Sequence, residues 1–305
     1  MTCRPRLVAW MAAWVSVSAA LFGCSRVTGL PAVPDSLTRA DAGLDRIERV
    51  DSPSALPDLA ELLDANPTSL VLGNAFRMEV FRQKREFLAA ARARGERSPA
   101  LPEALGAEPL ATLTRLAAKN RAKELRVHIG LSYVDRMVLD PALEVRAPAS
   151  IDSVREFTSV LAEYPYDVPA LVGRGLNHLN RPRKLVWPER PAPPADAASR
   201  DLALATAVGA KVGGASERVK GVLLLLLGDA YALEGKAGLA RSWWTLAAEA
   251  TDDRGVQSEL AIRAGWPEPE IPDRLEARLE ERMADINAPV SDLSFLWNDG
   301  ARGPW

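Results

Sequence analysis

With 305 residues, 48% of them hydrophobic and 26% charged, the chain is long enough to bury a substantial core in one large domain or two ordinary ones. Its 38 basic side chains balance 40 acidic ones at a net charge of -2, which excludes the basic surplus of a dedicated nucleic-acid binder. Two cysteines and two histidines leave little material for disulfides, zinc or haem.

In chain order, Arg4 and Arg6 precede an apolar run from Leu7 to Gly23 that ends in LFGC. A basic start followed by an apolar stretch is the mark of an export signal. Leu21, Gly23 and Cys24 resemble the lipobox of bacterial lipoproteins, although Phe22 is bulkier than that pattern usually carries. The resemblance implies removal of residues 1–23 and lipid on the sulfur and amine of Cys24, an anchor strengthened by about 0.8 kcal/mol per buried methylene. Ser25 follows where family members kept in the inner membrane commonly carry aspartate. The implied home is therefore the periplasmic side of the outer membrane. The alternative, an uncleaved anchor from Leu7 to Gly23, is at the short limit for spanning a bilayer. Cys3 leaves with the signal and Cys24 is consumed by lipid, so no disulfide is expected.

Residues 24–36, with Gly29, Pro31 and Pro34, read as a flexible tether. Apolar residues then recur at three and four rather than two, which predicts helices and few or no strands. Leu37, Leu44 and Ile47 form a first stripe, and Leu56, Leu59, Leu62 and Leu63 a second. Leu72, Phe76, Val80, Phe87 and Leu88 trace a longer helix. Residues 93–109 read as a surface excursion. Leu125, Ile129, Tyr133 and Met137 mark the next helix, and residues 139–150, with Pro141 and Pro148, read as a loop insert. Phe157, Val160, Leu161 and Pro165 look like the close of another helix, and Leu171, Gly175 and His178 the core of the one after it. The stretch 180–197 holds five prolines and reads as a second insert, with pairing resuming at Ala198, Leu202 and Ala205. VGAKVGGAS, residues 208–216, is glycine-rich but follows a helix and lacks the GK[ST] ending of a phosphate loop, so it is predicted to be a turn.

Residues 223–227 are five consecutive leucines, too short a run to cross a membrane and bracketed by Lys220 and Asp229. Leu224, Leu227, Gly228 and Tyr231, followed by Ala240, Trp244 and Ala247, are spaced as in a tetratricopeptide repeat, and this unit resembles one closely. The resemblance implies two packed helices, the first covered by its partner and by neighbouring repeats and so apolar nearly all round. Gly228 is expected to admit the partner helix, with Tyr231 and Trp244 filling the wedge. Weaker copies centre on Gly175 and Gly130. The glycines are 45 and 53 residues apart, so inserts of about 11 and 19 residues exceed the 34-residue period. The expected fold is therefore all-α, an irregular TPR-like solenoid over residues 37–266. Residues 267–305 are expected to supply a capping helix, with Leu275, Leu279, Met283 and Ile286 inward, and a tail. Phe295, Trp297 and Trp305 in that tail are expected to fold back on the body rather than stay loose for a partner.

Signals for chemistry are few. His128 and His178 read as satisfied, partly buried histidines, there is no HExxH, CxxC or GxSxG, and Glu280 and Glu281 lie on a charged helical face. No catalytic residue, metal or cofactor is assigned. Arg181, Arg183, Lys184 and Arg190 surround Val186 and Trp187 in a proline-stiffened loop, a candidate contact for an anionic polymer, a lipid headgroup or an acidic protein surface, the alternative being that Trp187 packs on adjacent helices and the arginines are solvated. The leading expectation is a lipid-anchored scaffold for a protein partner or envelope assembly. A ligand-handling accessory of a periplasmic transport system is the alternative, which leaves a small-molecule ligand open. A cell-wall hydrolase is a third class, without a visible catalytic acid.

Overall fold

The structure, a computed structural model, describes residues 30–44, 56–96, 104–140, 142–181, 194–213 and 215–297. Among them it holds eleven α-helices and no strand: α1 (Leu56–Ala65), α2 (Leu70–Ala93), α3 (Ala104–Asn120), α4 (Lys123–Leu139), α5 (Leu143–Glu163), α6 (Val168–Asn180), α7 (Ala197–Val212), α8 (Glu217–Leu233), α9 (Ala237–Ala250), α10 (Arg254–Ala264) and α11 (Ile271–Met283). Short 3-10 turns occupy Glu268–Glu270 and Ser294–Leu296. None of the described helices is long and apolar enough to cross a membrane.

Side chains that accept the first free backbone N–H groups set several of the starts. Ser69 accepts from Leu72 N at 3.2 Å, Asp167 from Ala170 N at 3.0 Å, Ser216 from Val219 N at 3.3 Å and Asp253 from Val256 N at 3.1 Å. Gly213 after α7 and Gly235 after α8 stop their helices at φ of 69° and 76°, left-handed values that cost glycine little.

From α1 to α10 each helix packs on the next, and α2, α4, α6, α8 and α10 also touch one another in alternation. Connections of only a few residues, as between α4 and α5 or α8 and α9, make those neighbours turn back on each other. Phe157 on α5 shows how closely the backbones approach: a Cβ on Gly130 would stand 2.9 Å from its ring and one on Gly173 only 2.4 Å. Gly175 is similarly filled by Leu202 at 2.8 Å, and Gly228 by the Trp244 indole at 2.4 Å. Gly228→Ala therefore forces a displacement between α8 and α9. It is expected to cost about 1–3 kcal/mol by overpacking, read from the urea unfolding midpoint. Gly238→Ala, which meets open space, should stay level or gain up to about 1 kcal/mol.

Leu223, Leu224, Leu225, Leu226 and Leu227 are all buried. Helices α7, α9, α10 and α6 cover part of that face, and α11 with the Ser294–Leu296 turn covers the rest. Trp244 occupies the wedge at Gly228, and the rings around it pair as follows. Tyr231 stacks on Trp243, with centroids 6.4 Å apart and planes at 10°, while Trp244 meets Trp266 edge-on at 6.2 Å.

Several sequence expectations are corrected. Residues 143–150 are helical, because α5 runs through Pro148, and 104–109 belong to α3, which contains Pro109. Each proline is the sixth residue of its helix, so it forfeits a bond to one early carbonyl. Packing makes up for it in α5, where Ala149 is buried among Met137, Val138 and Met283. The stripe at Leu37 and Leu44 is not helical. Thr38 N and Oγ1 donate to Asp41, and Val168 N donates to Ala42 O at 3.0 Å, so this segment is a turn laid over the start of α6. Leu30, Val33 and Leu37 also pack on the core, so the reading of a flexible tether does not extend to its described part. Finally, α11 does not close the end of a stack after α10. It crosses back to α8 and α6, and the chain beyond it reaches α2 and α4.

Candidate functional site

One polar interior of the described residues lies where α2 and α4 meet the chain that follows α11. Asn74 and Arg77 are three apart on α2, and His128 and Asp135 are seven apart on α4, so each pair shares a helical face. Arg77 is 1% exposed, His128 1%, Asn74 5% and Asp135 6%. Gly73 makes room for them: a Cβ there would overlap the His128 ring at 2.0 Å.

Arg77 is the hub. Its Nη1 donates to both Asp135 oxygens at 3.1 and 3.0 Å, its Nη2 to Asn74 Oδ1 at 2.9 Å and to the Ser291 carbonyl at 2.7 Å. Its Nε faces His128 Nδ1 at 3.4 Å, which makes that nitrogen an acceptor and the imidazole neutral. Burial, followed by the adjacent guanidinium, pushes the His128 pKa well below its ordinary value. Burial also pushes the Asp135 carboxyl up, against the pull of Arg77 and of the Ser291 hydroxyl that donates to it.

The C-terminal segment completes the arrangement. Asn74 Nδ2 donates to Asp292 Oδ1 at 2.8 Å, and Asn74 Oδ1 accepts from Leu293 N at 3.2 Å. Val290 packs beside Val80, Phe81, Val134 and Met137. Phe295 and Leu296 enter the main core with α8. Farther out, Arg85 Nη1 donates to Ile286 O at 2.9 Å. The face of α2 and α4 thus holds one backbone carbonyl, one backbone N–H and two polar side chains of a chain that turns at residues 289–292 and enters the Ser294–Leu296 3-10 turn. His128 faces a guanidinium rather than a nucleophile, so these contacts hold the chain after α11 in place and are not arranged as an acid–base relay.

Among the residues singled out from sequence, Leu224, Leu227, Ala240, Trp244 and Ala247 are buried between α8 and α9, and Tyr231 is partly buried beside them. Gly130 and Gly175 lie at the α4–α5 and α6–α7 contacts described above. Arg181 follows α6, beside a crevice lined by Leu179, Asn180, Leu233, Glu276, Leu279 and Glu280. Arg183, Lys184, Trp187 and Arg190 lie outside the described residues, as do Cys24 and Trp305. His178 is mostly buried and its pKa is pushed down to about 3, by burial first and by Arg181 and Arg174 after it. No group of three or more His, Cys, Asp or Glu among the described residues could hold a metal ion.

Sequence reasoning missed Asn74, Arg77, Asp135, Ser291 and Asp292. The one available signal was a charge set among apolar residues, as at Arg77 between Phe76 and Met78. An exposed helical face gives the same local pattern, and the partners are more than 200 residues apart in the chain. No family model matches this chain, and no curated protein or solved structure matches it either.

Proposed function

We propose that this chain is an exported lipoprotein, held at the outer membrane through Cys24, that acts as a scaffold for a protein partner. In this reading its helices are TPR-like hairpins stacked in an irregular solenoid. The observation that supports the reading most is the order of helix contacts, α1 to α10 each on the next and the even-numbered helices α2 to α10 on one another, which is the nearest-neighbour packing of a repeat array. The LFGC sequence supports the anchor.

A protein partner suits the described surface better than a small ligand. The two best-formed crevices, one beside Arg181 and one lined by Arg39, Leu44, Val168 and Leu296 among others, are narrow, with room for about one water each. Ligand pockets are typically about 300–1,000 Å³.

The test has two readouts on the full chain. Cys24→Ser is expected to move the tagged protein from the membrane to the soluble fraction. Affinity purification of the wild type from membranes is expected to yield a stoichiometric partner, with capture weakened by Arg183→Ala and Trp187→Ala at unchanged helicity. Recovery of the protein alone from both membrane and soluble fractions would sink the scaffold.

A further inference from the structure

We propose that the edge of the array bearing the α3–α4, α5–α6, α7–α8 and α9–α10 turns is a membrane-facing surface, set against the headgroups of the phospholipid leaflet that takes the Cys24 anchor, and that the opposite edge is the one left for a protein partner. This rests on the lipoprotein reading above and adds to it the direction in which the scaffold stands.

Short connections turn successive helices back on each other, so these four turns fall at one end of the helices they join. Side chains tie them together. Lys123 at the start of α4 donates to Asp167 at the start of α6 at 2.7 Å, and Arg218 in the first turn of α8 pairs with Asp253 at the start of α10 at 3.2 Å. Residues 30–44 are strapped across the same edge. Val168 N donates to Ala42 O at 3.0 Å, Arg39 Nη1 donates to the Gly213 carbonyl after α7 at 2.8 Å, and Lys211 in the last turn of α7 donates to Asp35. Leu30, Val33 and Leu37 of the strap pack on the main core. The other ends of the helices form the far edge, where Leu143 begins α5 and where Asn180 and Leu233, ending α6 and α8, line a crevice with Glu276 and Glu280 of α11.

Chain length turns the strap into an orientation. Leu30 is six residues after Cys24, and six residues span at most about 22 Å even when fully extended. The 17 residues of α8 hold the two edges about 25 Å apart. An acylated Cys24 therefore keeps the strapped edge next to the headgroups and the far edge away from them. The surface chemistry of the near edge suits that neighbour. Tyr164, 41% exposed, is one of three exposed large hydrophobic side chains among the described residues, and Lys123 Nζ lies 4.7 Å from its ring centroid. An amphipathic ring beside a lysine is at home at headgroup level. Exposed Arg121 and Arg254 are interspersed with Glu163, Glu217 and Asp252, so the edge carries both signs. Both signs fit zwitterionic headgroups, whereas a strongly anionic surface calls for an excess of Lys and Arg. The connection from α6 to α7, which contains Arg183, Lys184 and Trp187, begins and ends on the far edge.

The experiment uses the full chain, purified from membranes and reconstituted in phosphatidylethanolamine vesicles whose headgroups carry a nitroxide quencher. Glu217→Cys on the near edge and Leu143→Cys on the far edge, both at exposed positions, each take a fluorophore, with the unsubstituted chain as the labelling blank. Quenching of the label at position 217 is expected to exceed that at 143 at least about threefold, because the edges stand about 25 Å apart. An insertion of about twenty Gly and Ser residues after Gly29, with an average reach of about 25 Å, should bring the two to within a factor of about 1.5. Equal quenching of the two labels on vesicle-bound protein, or stronger quenching at 143, would overturn the proposal. An undiminished ratio after the insertion would overturn the short tether as its cause. Flotation of the vesicles separates this from the reading beneath it: a chain that does not float with them overturns the Cys24 anchor and the orientation together, while one that floats with equal quenching overturns the orientation alone.

Discussion

Arg263→Ala is expected to lower unfolding stability by about 3–5 kcal/mol, among the largest effects of any single substitution in this chain. Arg263 and Asp229 are both fully buried, with Nε and Nη2 of the guanidinium donating to the two carboxylate oxygens at 2.7 and 2.8 Å. Nη1 donates to the Glu259 carbonyl at 2.8 Å and to its carboxylate at 2.6 Å, and the guanidinium lies near the rings of Trp244 and Trp266 at 5.9 and 5.7 Å. Asp229 also accepts from Trp244 Nε1 at 3.0 Å. Removing the cation strands Asp229 inside the protein, and it removes part of what holds Glu259. Burial pushes the Glu259 carboxyl up, but Arg278 and Arg263 outweigh it and hold the pKa at about 2. The loss is read from urea unfolding followed by circular dichroism. The double variant Asp229→Ala/Arg263→Ala should lose clearly less than the sum of the two single changes, because neither partner is left alone. Strict additivity would mean that the pair does not act as a unit.

Acid is expected to have an effect of the same order. Burial holds His128 well below its ordinary pKa and His178 at about 3, so both stay neutral in the folded chain through mildly acid solution. In the unfolded chain each titrates near 6.5. Below that pH the unfolded state binds protons that the folded state refuses, so this contribution is complete above about 6.5 and is lost as pH falls toward the folded values. Each pH unit then costs up to about 1.4 kcal/mol per histidine, or about 3–5 kcal/mol for the two over two units. Asp135 and Asp167 work in the opposite sense. Burial raises their pKa, so in acid the folded state takes up those protons first, which leaves the histidine signal clearest in the upper part of the window. Urea unfolding at pH 7, 6 and 5 checks the slope, and His178→Gln should reduce it by about half. Equal stability at all three values would mean that the two rings are protonated inside the fold.

The readability of the chain was uneven for identifiable reasons. Helices α2, α4, α6 and α8 could be read from the spacing of Leu72, Phe76 and Val80, of Leu125, Ile129 and Met137, of Leu171 and Gly175, and from the leucine run, because a helix that buries one face must repeat its apolar residues at three and four. Proline was over-read. At Pro109 and Pro148 the local penalty is one hydrogen bond, and the burial of neighbours such as Leu113 and Ala149 exceeds it. The spacing of Leu37, Leu44 and Ile47 predicts a helix, but two hydrogen bonds from Thr38 to Asp41 favour a turn, and Ile47 lies outside the described residues. Burial of Phe295 could be anticipated from its size and surroundings, whereas its place beside α8 could not.

By itself the sequence determined that the body is helical, which apolar stripes the main helices bury, and that residues 223–227 lie inside. Those properties depend on propensity, capping and periodicity, which act over a few residues. Only the tertiary structure decided that α11 recrosses α8 and α6, that residues 290–292 meet the face of α2 and α4 while Phe295 and Leu296 enter the core with α8, and which charges pair inside. Asp229 with Arg263, and Arg77 with Asp135 and Ser291, meet through contacts 34 to 214 residues apart. A buried charge and a solvated one look alike in a sequence, since what separates them is the distant partner that replaces water.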